Sequence, residues 1–597
     1  MNAGAIGQTG PQGRNQRGRP RRVRIVIGLS ALAGLIACTL LVAFGAEAVV
    51  SRASCTDHPV VVNLAASPDI APAVSHVAKY FNAEHNNVQG HCAVVHVTSA
   101  QSAAAAAQIS GTKSAAGSPT FDAWIPDSAL WVNVARSSPA GAQLVQPSGV
   151  SVARSPLMIV MPRSVAAQVP AFGSSVGWQF LLPQRVGGPA TGLGLHVEFP
   201  DPAQSSAGLA TLIQLQQLLG NGATALAGFA DFVFNIQVTP GYGKAGSLAS
   251  LASLAQPPRD ERPVTIASEQ AIAQFDRTHA TDQLSGRYPT QGTPELDYPY
   301  VLTSANQLKL KAGQLFEKAL KSSYAASYVR YLGFRPAAGS APGWISQYGL
   351  ETGPPKLTAS AAPGLAETSL QAWQRLSLGS RDLVLLDVSE QMATPVAPDG
   401  TTLEQVLTKA ASLGLTQFPD STQMGIWAFA SHLDGNLPYK QVVPVGPLPA
   451  PLGLITRRQQ ITQATTQDKP VPGAPAALYS SMLAAFKSMT ASYQPRYANA
   501  VLVMTAGIDN AKGDIKPAAL VRQLRVLYNP KRRVEIIPLM LGNAGNFAAL
   551  QQIANATGGQ AFEITSPSQI RGTFFSAIAR RLCSPNCGAL TSANSGG

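Results

Sequence analysis

Short apolar runs alternate with longer stretches of helical period along most of this chain. PVVVNLAAS (59–67) is a nearly unbroken apolar run, the pattern of a strand covered on both faces. PDIAPAVSHVAKYFNAEH (68–85) repeats its apolar positions at helical spacing, with Pro68 in the first turn and Ser67 as the expected cap. HCAVVHVTS (91–99) is a second strand, so the strand–helix–strand order predicts two parallel neighbours. SPLMIVMP (155–162) and VGWQFLLP (176–183) continue the series of apolar runs, read as strands. LHVEFPDPAQSSAGLATLIQLQQLLG (195–220) breaks a strand at proline and enters a long helix, and RPVTIASEQAIAQFD (262–276) repeats strand, serine, helix. Recurring strands that end in serine-rich helix starts indicate an α/β fold.

From 336 to 379 the chain turns rich in alanine, glycine, proline and serine, and a linker is placed there, with a short helix over 369–378. A second alternating series follows: RDLVLLDVS (381–389), a helix over 401–414, strands at 422–430 and 441–448, and a helix over 475–493. It closes with a strand at 498–507, a helix over 515–528, a strand at 533–541, a helix over 546–559 and a strand at 560–566. A chain of 597 residues is too long for one core, and two cores match these two series.

Composition changes the picture mainly at the N-terminus. The net charge is +13, but six arginines and no acid lie in the first 24 residues. The next 22 residues, 25–46, carry no charge and are long enough to cross a bilayer as one helix. Arginines before the run and none just after it orient the N-terminus to the cytoplasm. Three fates stay open: an uncleaved anchor, cleavage after AEA (46–48), and lipidation of Cys38 in LIAC. All three put residues 51–597 outside the membrane. Cys55, Cys92, Cys583 and Cys587 form two local pairs in that exported part, and an oxidising compartment permits bridges. Cys55 precedes the first strand and Cys92 opens the second, so a bridge between these neighbours is geometrically reasonable. Aromatic residues interleaved with a basic stripe are not found, which argues against nucleic acid.

FDAWIPDSALWV (121–132), SPLMIVMP, DPAQSSAGLATL (201–212) and LDYPYVL (296–302), in that order, resemble the two-lobed bacterial extracellular solute-binding proteins. DPAQSSAGLATL is especially similar to the corresponding segment of molybdate and sulfate binders. The second series resembles a von Willebrand factor A domain, a doubly wound sheet with helices on both faces. The expected organisation is therefore a basic tail (1–24), a transmembrane anchor (25–46) and a periplasmic-binding-protein-like domain (55–338). A linker (339–380), a von Willebrand A-like domain (381–582) and a C-terminal tail (583–597) complete it.

The second resemblance implies an oxygen-ligand site for a hard cation such as magnesium. Asp387 and Ser389 stand at its first two positions, but Gln391, Ala476 and Ala506 replace a serine, a threonine and an aspartate. Thr505 and Gly507 remain, and Asp509 lies two residues beyond the loop apex. One carboxylate and one hydroxyl poorly offset magnesium's dehydration, so a degenerate site is expected and no cofactor. In the first domain, Ser67, Ser99, Ser205, Ser206 and Ser268 sit at strand ends or helix starts. Hydroxyls and helix N-terminal amides bind oxyanions, while the plainer role of each serine is to cap its own helix. Asp122 and Asp127 could form a carboxylate pair around Trp124, and GSSVG (173–177) matches a nucleophile elbow at Ser175 only by spacing.

The expectation is a membrane-tethered extracytoplasmic binding protein, not an enzyme. It would join a solute-binding-like domain to a domain that meets a protein partner at the cell envelope. The rivals are a receptor that hands an oxyanion or small solute to a permease, and an envelope serine hydrolase.

Overall fold

The computed structural model describes residues 56–111, 121–169, 176–182, 194–220, 222–238, 248–258, 260–467 and 469–582. The apolar segment 25–46, residues 173–175 of the GSSVG motif and Cys38, Cys55, Cys583 and Cys587 lie outside these residues. Among the described residues no helix is long and apolar enough to cross a membrane.

The fold is mixed α/β. The first sheet takes β1 (Thr56–Ala66), β2 (Asn87–Val88), β3 (His91–Ser99), β4 (Ala123–Ile125) and β5 (Gln146–Ser151). A second sheet is built from β6 (Ala153–Pro162), β7 (Leu195–Val197), β8 (Arg262–Ser268), β9 (Leu284–Arg287) and β10 (Glu295–Leu296). The chain then returns to the first sheet with β11 (Pro299–Leu302) and to the second with β12 (Arg335–Pro336). The first sheet runs β2-β3-β1-β4-β11-β5 and the second β10-β6-β8-β7, with β9 and β12 also on β6. Two sheets with three crossings between them make two lobes. As the strand–helix–strand pattern required, β1 and β3 are parallel, with Val62 opposite Val95 and Ala66 opposite Ser99. One apolar core runs through both lobes, from Val62 and Phe81 to Leu212 and Phe232.

Two local readings are corrected. Of the run 176–183, the described part, 176–182, is not a strand: Trp178–Leu181 is a short 3-10 turn, with Trp178 buried and its Nε1 held by the Gly292 carbonyl at 2.8 Å. Apolar side chains in a row mark burial there, not extension. The first helix spans Ala71–Ala83 and begins at Ile70 without a side-chain cap. Ser67 does not cap it, because its hydroxyl donates to Asp69 instead, at 2.6 Å.

The stretch read as a linker carries a packed helix, Leu365–Leu376, slightly earlier than 369–378. Its Leu370, Trp373 and Leu376 join the core of the first two lobes, and Ser369 donates to Gln216 at 2.6 Å.

The remaining strands are β13 (Gly379–Asp387), β14 (Gln423–Asp434), β15 (Leu437–Pro447), β16 (Pro451–Leu452) and β17 (Ile455–Thr456). They are followed by β18 (Tyr497–Thr505), β19 (Val534–Leu541) and β20 (Phe562–Ile564). The third sheet runs β15-β14-β13-β18-β19-β20, parallel throughout except for β15 at its edge. β16 and β17 pair only with each other. Counted within this sheet the order is three-two-one-four-five-six, so the topology reverses between β13 and β18. Separate apolar clusters cover the two faces of this sheet, one around Leu385 and Phe486, the other around Leu386 and Leu407. The helix Ile570–Ala579 then lies against the Ala223–Val238 helix of the first part, with Phe234 meeting Phe574 edge-on at 5.3 Å.

Candidate functional site

Two polar centres stand at strand ends, where an α/β fold presents side chains to a ligand. The first joins the two lobes. Asp127 follows β4, and the helix Ser206–Leu219 starts from the other lobe. Asp127 Oδ1 accepts the Ser206 hydroxyl at 2.7 Å, and Ser206 Oγ accepts Trp131 Nε1 at 2.6 Å. The Asp127 amide donates to Ser102 Oγ at 3.1 Å, and its carbonyl accepts the Tyr298 amide at 3.3 Å. Asp69 takes the Ser67 hydroxyl at 2.6 Å and the Ile70 amide at 3.0 Å on one oxygen, and the Tyr298 hydroxyl on the other. Burial, and then the charge of Asp69, push the Asp127 carboxyl up to about 6. Burial also raises the Asp297 carboxyl, which accepts the Ala129 amide at 2.7 Å.

The sequence places Ser206 here for a local reason. In DPAQSSAG, Ser205 is the helix cap, accepting from the Gly208 amide at 3.3 Å, which leaves the next hydroxyl, Ser206, pointing across the lobes. Gly208 is needed because a Cβ there would fall 2.2 Å from the Pro200 carbonyl.

Of the five serines, only Ser67 and Ser206 belong to this network. Ser205 and Ser268 are ordinary caps, the latter accepting from the Ala271 amide at 3.2 Å. Ser99 is exposed at the end of β3, and the following helix starts from Gln101. Asp122 does not pair with Asp127: it is ion-paired with Lys309 at 2.8 Å and accepts the Asn63 amide at 3.0 Å. Asp69, Trp131 and Tyr298 were missed as site residues. Trp131 and Tyr298 lie within the landmark segments 121–132 and 296–302, which was the one available signal.

The second centre lies at the topological reversal, where β13 ends in Asp387 and β18 in Thr505. Asp387 Oδ1 accepts the Ser389 amide at 3.0 Å and hydroxyl at 2.6 Å. Its Oδ2 accepts the Thr505 hydroxyl at 2.7 Å and the Ala506 amide at 3.2 Å. Burial raises this carboxyl in spite of those four donors. Ala476 and Ala506 are buried and carry no ligand oxygen in their side chains. The loop that follows β19 presses in as well: a Cβ on Gly545 would come within 2.3 Å of the Ala506 carbonyl.

Asp509 is committed elsewhere. It accepts the Leu478 amide at 3.0 Å, while Asp514 takes the Tyr479 amide at 3.1 Å and the Ser480 amide at 3.2 Å. Both acids thus satisfy the exposed amides of the Leu478–Ala491 helix, whose N-terminus favours negative charge. Burial and the neighbouring Asp514 push the Asp509 carboxyl up to about 7. The amide oxygen of Gln391 is buried without a hydrogen-bond partner among the described residues.

Away from both centres, Cys92 at the head of β3 is disulfide-bonded. The register sets Thr56 opposite His91, one residue before Cys92. The pairing with Cys55 and that of Cys583 with Cys587 fall outside the described residues.

Residues 62–335 match the family model described as bacterial extracellular solute-binding protein. Over 564 residues the chain is 25% identical to an uncharacterized protein of Mycobacterium tuberculosis, covering 90% of this chain and 80% of that one. Among solved structures, the sulfate-binding protein SubI from Mycobacterium tuberculosis H37Rv is 17% identical, over 49% of this chain and 90% of that chain, with a TM-score of 0.33. A von Willebrand factor type A protein from Catenulispora acidiphila is 15% identical over 34% of this chain, with a TM-score of 0.27. The chain spans 43% of that structure's length, less than half of it.

Proposed function

We propose, from the premise that residues 62–335 form a solute-binding-type domain, that this chain is an extracytoplasmic binding protein tethered by residues 25–46, whose C-terminal domain engages a protein partner without a metal ion. The observation that carries the metal-free reading is the satisfied state of Asp387. Each of its oxygens already takes two donors from the chain. A divalent cation would have to displace them and would find alanine at two of the other positions. The residues therefore do not fit a magnesium site, and no binding step is routed through one.

Magnesium or manganese at millimolar concentration is expected to leave the melting temperature of the full-length chain unchanged. The triple variant Gln391→Ser, Ala476→Thr, Ala506→Asp restores the missing ligand types and is the positive control. A cation at a thousandfold excess over its dissociation constant would stabilise by about 4 kcal/mol, which thermal unfolding resolves easily. Equal stabilisation of parent and triple variant would overturn the metal-free reading and assign the Gln391 amide oxygen as a ligand.

The family match favours a second reading, a receptor that hands a small solute to a permease. The interlobe centre bears on which solute that is. An oxyanion there would meet Asp127 with Asp69 beside it, and a carboxylate pair repels anions while hydroxyls and cations suit it. Sulfate, molybdate and phosphate are therefore expected to give no thermal shift at pH 8, where Asp127 is ionised. A saturable rise with any of the three would restore the oxyanion receptor.

A further inference from the structure

The C-terminal sheet has a second polar surface, at the end of its strands opposite Asp387. A groove of about 280 Å³ crosses the starts of β13, β18 and β19, where Asp382, Asn499 and Glu535 line it. Asp382 and Asp387 are five residues apart on β13, about 17 Å at the usual rise of a strand. The segments that lead into β18 and β19 supply Tyr493 and Lys531 to the groove, and the Ile570–Ala579 helix supplies Phe574.

Four cations, Arg375, Lys531, Arg533 and Arg581, line the groove against two acids, Asp382 and Glu535. Burial pushes the Asp382 carboxyl up to about 7, which weakens one of those two negative charges near neutrality. Neutral acceptors hold two of the arginines. Arg581 donates to the Leu378 carbonyl at 3.0 Å and to Ser380 Oγ at 2.8 Å, and Arg375 to the Leu582 carbonyl at 2.8 Å. These bonds fix the guanidinium groups and leave their charge in place. Burial lowers Arg581 from the usual arginine value even with Asp382 and Glu535 near it, so a further carboxylate would stabilise its charged form. Lys531 is exposed, and next to it in the chain Arg532 lies over the Tyr493 ring at 5.4 Å.

The groove also has an aromatic wall. Tyr493, Tyr497 and Phe574 line it, and Phe574 meets Phe418 edge-on at 4.9 Å. An apolar cavity of about 90 Å³ shares Phe418, Phe574 and Ala577 with it. That cavity is smaller than the roughly 150 Å³ that takes one benzene molecule, so it adds no room for a larger ligand. The groove itself is nearly twice the benzene figure, and below the roughly 300 to 1,000 Å³ of sites that enclose a whole small molecule. It suits two or three side chains of something larger. A bilayer surface is flat and would not reach arginines held in a recess. An extended peptide alternates its side chains, and so can offer carboxylates to the cations and an apolar group to the rings.

We propose that this groove docks an acidic, extended peptide segment of the protein partner, with its carboxylates toward Arg375, Arg581 and Lys531 and an apolar side chain against the aromatic wall. The inference rests on the reading of this domain as one that engages a protein, and it supplies a surface that needs no metal ion. Charge sets the choice of partner, and the rings add buried apolar area.

The test uses the full-length chain in phosphatidylcholine nanodiscs and a nonapeptide of alternating glutamate and phenylalanine with a photoreactive benzoylphenylalanine at its centre. After irradiation, peptide mapping is expected to place the crosslink on 493–500, 530–537 or 574–581, the segments that line the groove. Lys531→Glu is expected to reduce it about tenfold. Lys311→Glu, the same charge change at an exposed site of the first domain, is expected to leave it unchanged. A peptide with glutamine for glutamate is expected to crosslink only at background. Crosslinks that do not favour those three segments overturn the proposal, as does equal crosslinking by the glutamine peptide or an equal response of the two lysine variants. Loss of the crosslink to added phosphatidylglycerol vesicles, with Lys531→Glu abolishing that competition, overturns it in favour of a membrane surface. Mapping with and without magnesium separates the proposal from the reading beneath it. A crosslink on 389–394 or 505–510 that needs magnesium overturns the metal-free reading, whereas absence of a groove crosslink in both conditions overturns the proposal alone.

Discussion

Asp127→Asn stabilises this protein at pH 8 and has little effect at pH 4. The carboxyl ionises near 3.8 in an unfolded chain and near 6 in the fold, because it is buried and faces the charge of Asp69. The native state therefore holds its proton more tightly than the unfolded state does. The stability this gives is fully present below about pH 4 and is lost as the pH rises through about 6. Above that, the fold carries a buried carboxylate at a cost of about 3 kcal/mol, of which the neutral amide is free. Asparagine keeps an acceptor oxygen for the Ser206 hydroxyl, so the bond between the lobes survives. Thermal unfolding of parent and variant from pH 4 to 8 measures the effect. Two melting curves that stay parallel over the whole range would show that Asp127 does not titrate between the lobes.

Arg335→Met destabilises the second lobe by about 3 to 5 kcal/mol, the usual cost of stranding one member of a buried ion pair. Arg335 on β12 donates from Nε and Nη2 to the two oxygens of Glu269, at 3.0 and 2.8 Å. Glu269 is 0% exposed, and among the described residues the Tyr288 hydroxyl would be its one remaining side-chain donor. Adding Glu269→Leu should recover most of the loss, because a well-packed apolar pair often replaces a buried ion pair without penalty. Denaturant unfolding of the two variants decides this. A single variant within about 1 kcal/mol of the parent would mean that water reaches Glu269 and screens it.

Both predictions rest on contacts whose partners are far apart in sequence, which marks the limit of what the chain shows before it folds. The strands β13 and β18 were legible because parallel strands covered on both faces must be apolar throughout. The parallel pairing of β1 with β3 followed from the helix between them. The substitutions at Gln391, Ala476 and Ala506 were also visible, since they are identities and need no geometry.

What a polar side chain does was far less legible. Ser67 and Ser205 look alike in sequence, each standing just before a helix, yet Ser205 caps its helix while Ser67 bonds to a carboxylate. The difference is one turn of backbone, because the first helix starts at Ala71 and leaves the Ser67 hydroxyl next to Asp69. Similarly, Asp127 was read against Asp122, five residues away, but its partners are Ser206, 79 residues on, and the charge of Asp69. Glycine and proline content suggested a linker over 339–380, but the spacing of Leu370, Trp373 and Leu376 gave one helix face that the neighbouring lobes bury.

The sequence by itself determined the α/β alternation, the two series of elements, the apolar N-terminal run and the loss of three metal-ligand types. These are properties of identity and short-range period, which the local backbone obeys before any long contact forms. Only the tertiary structure decided which carboxylates face each other, that Asp387 is satisfied by Ser389, Thr505 and Ala506, and that an apolar cavity opens beside a cationic groove. Those facts depend on which strand ends and helix faces the sheet order brings together, and no local period encodes that order.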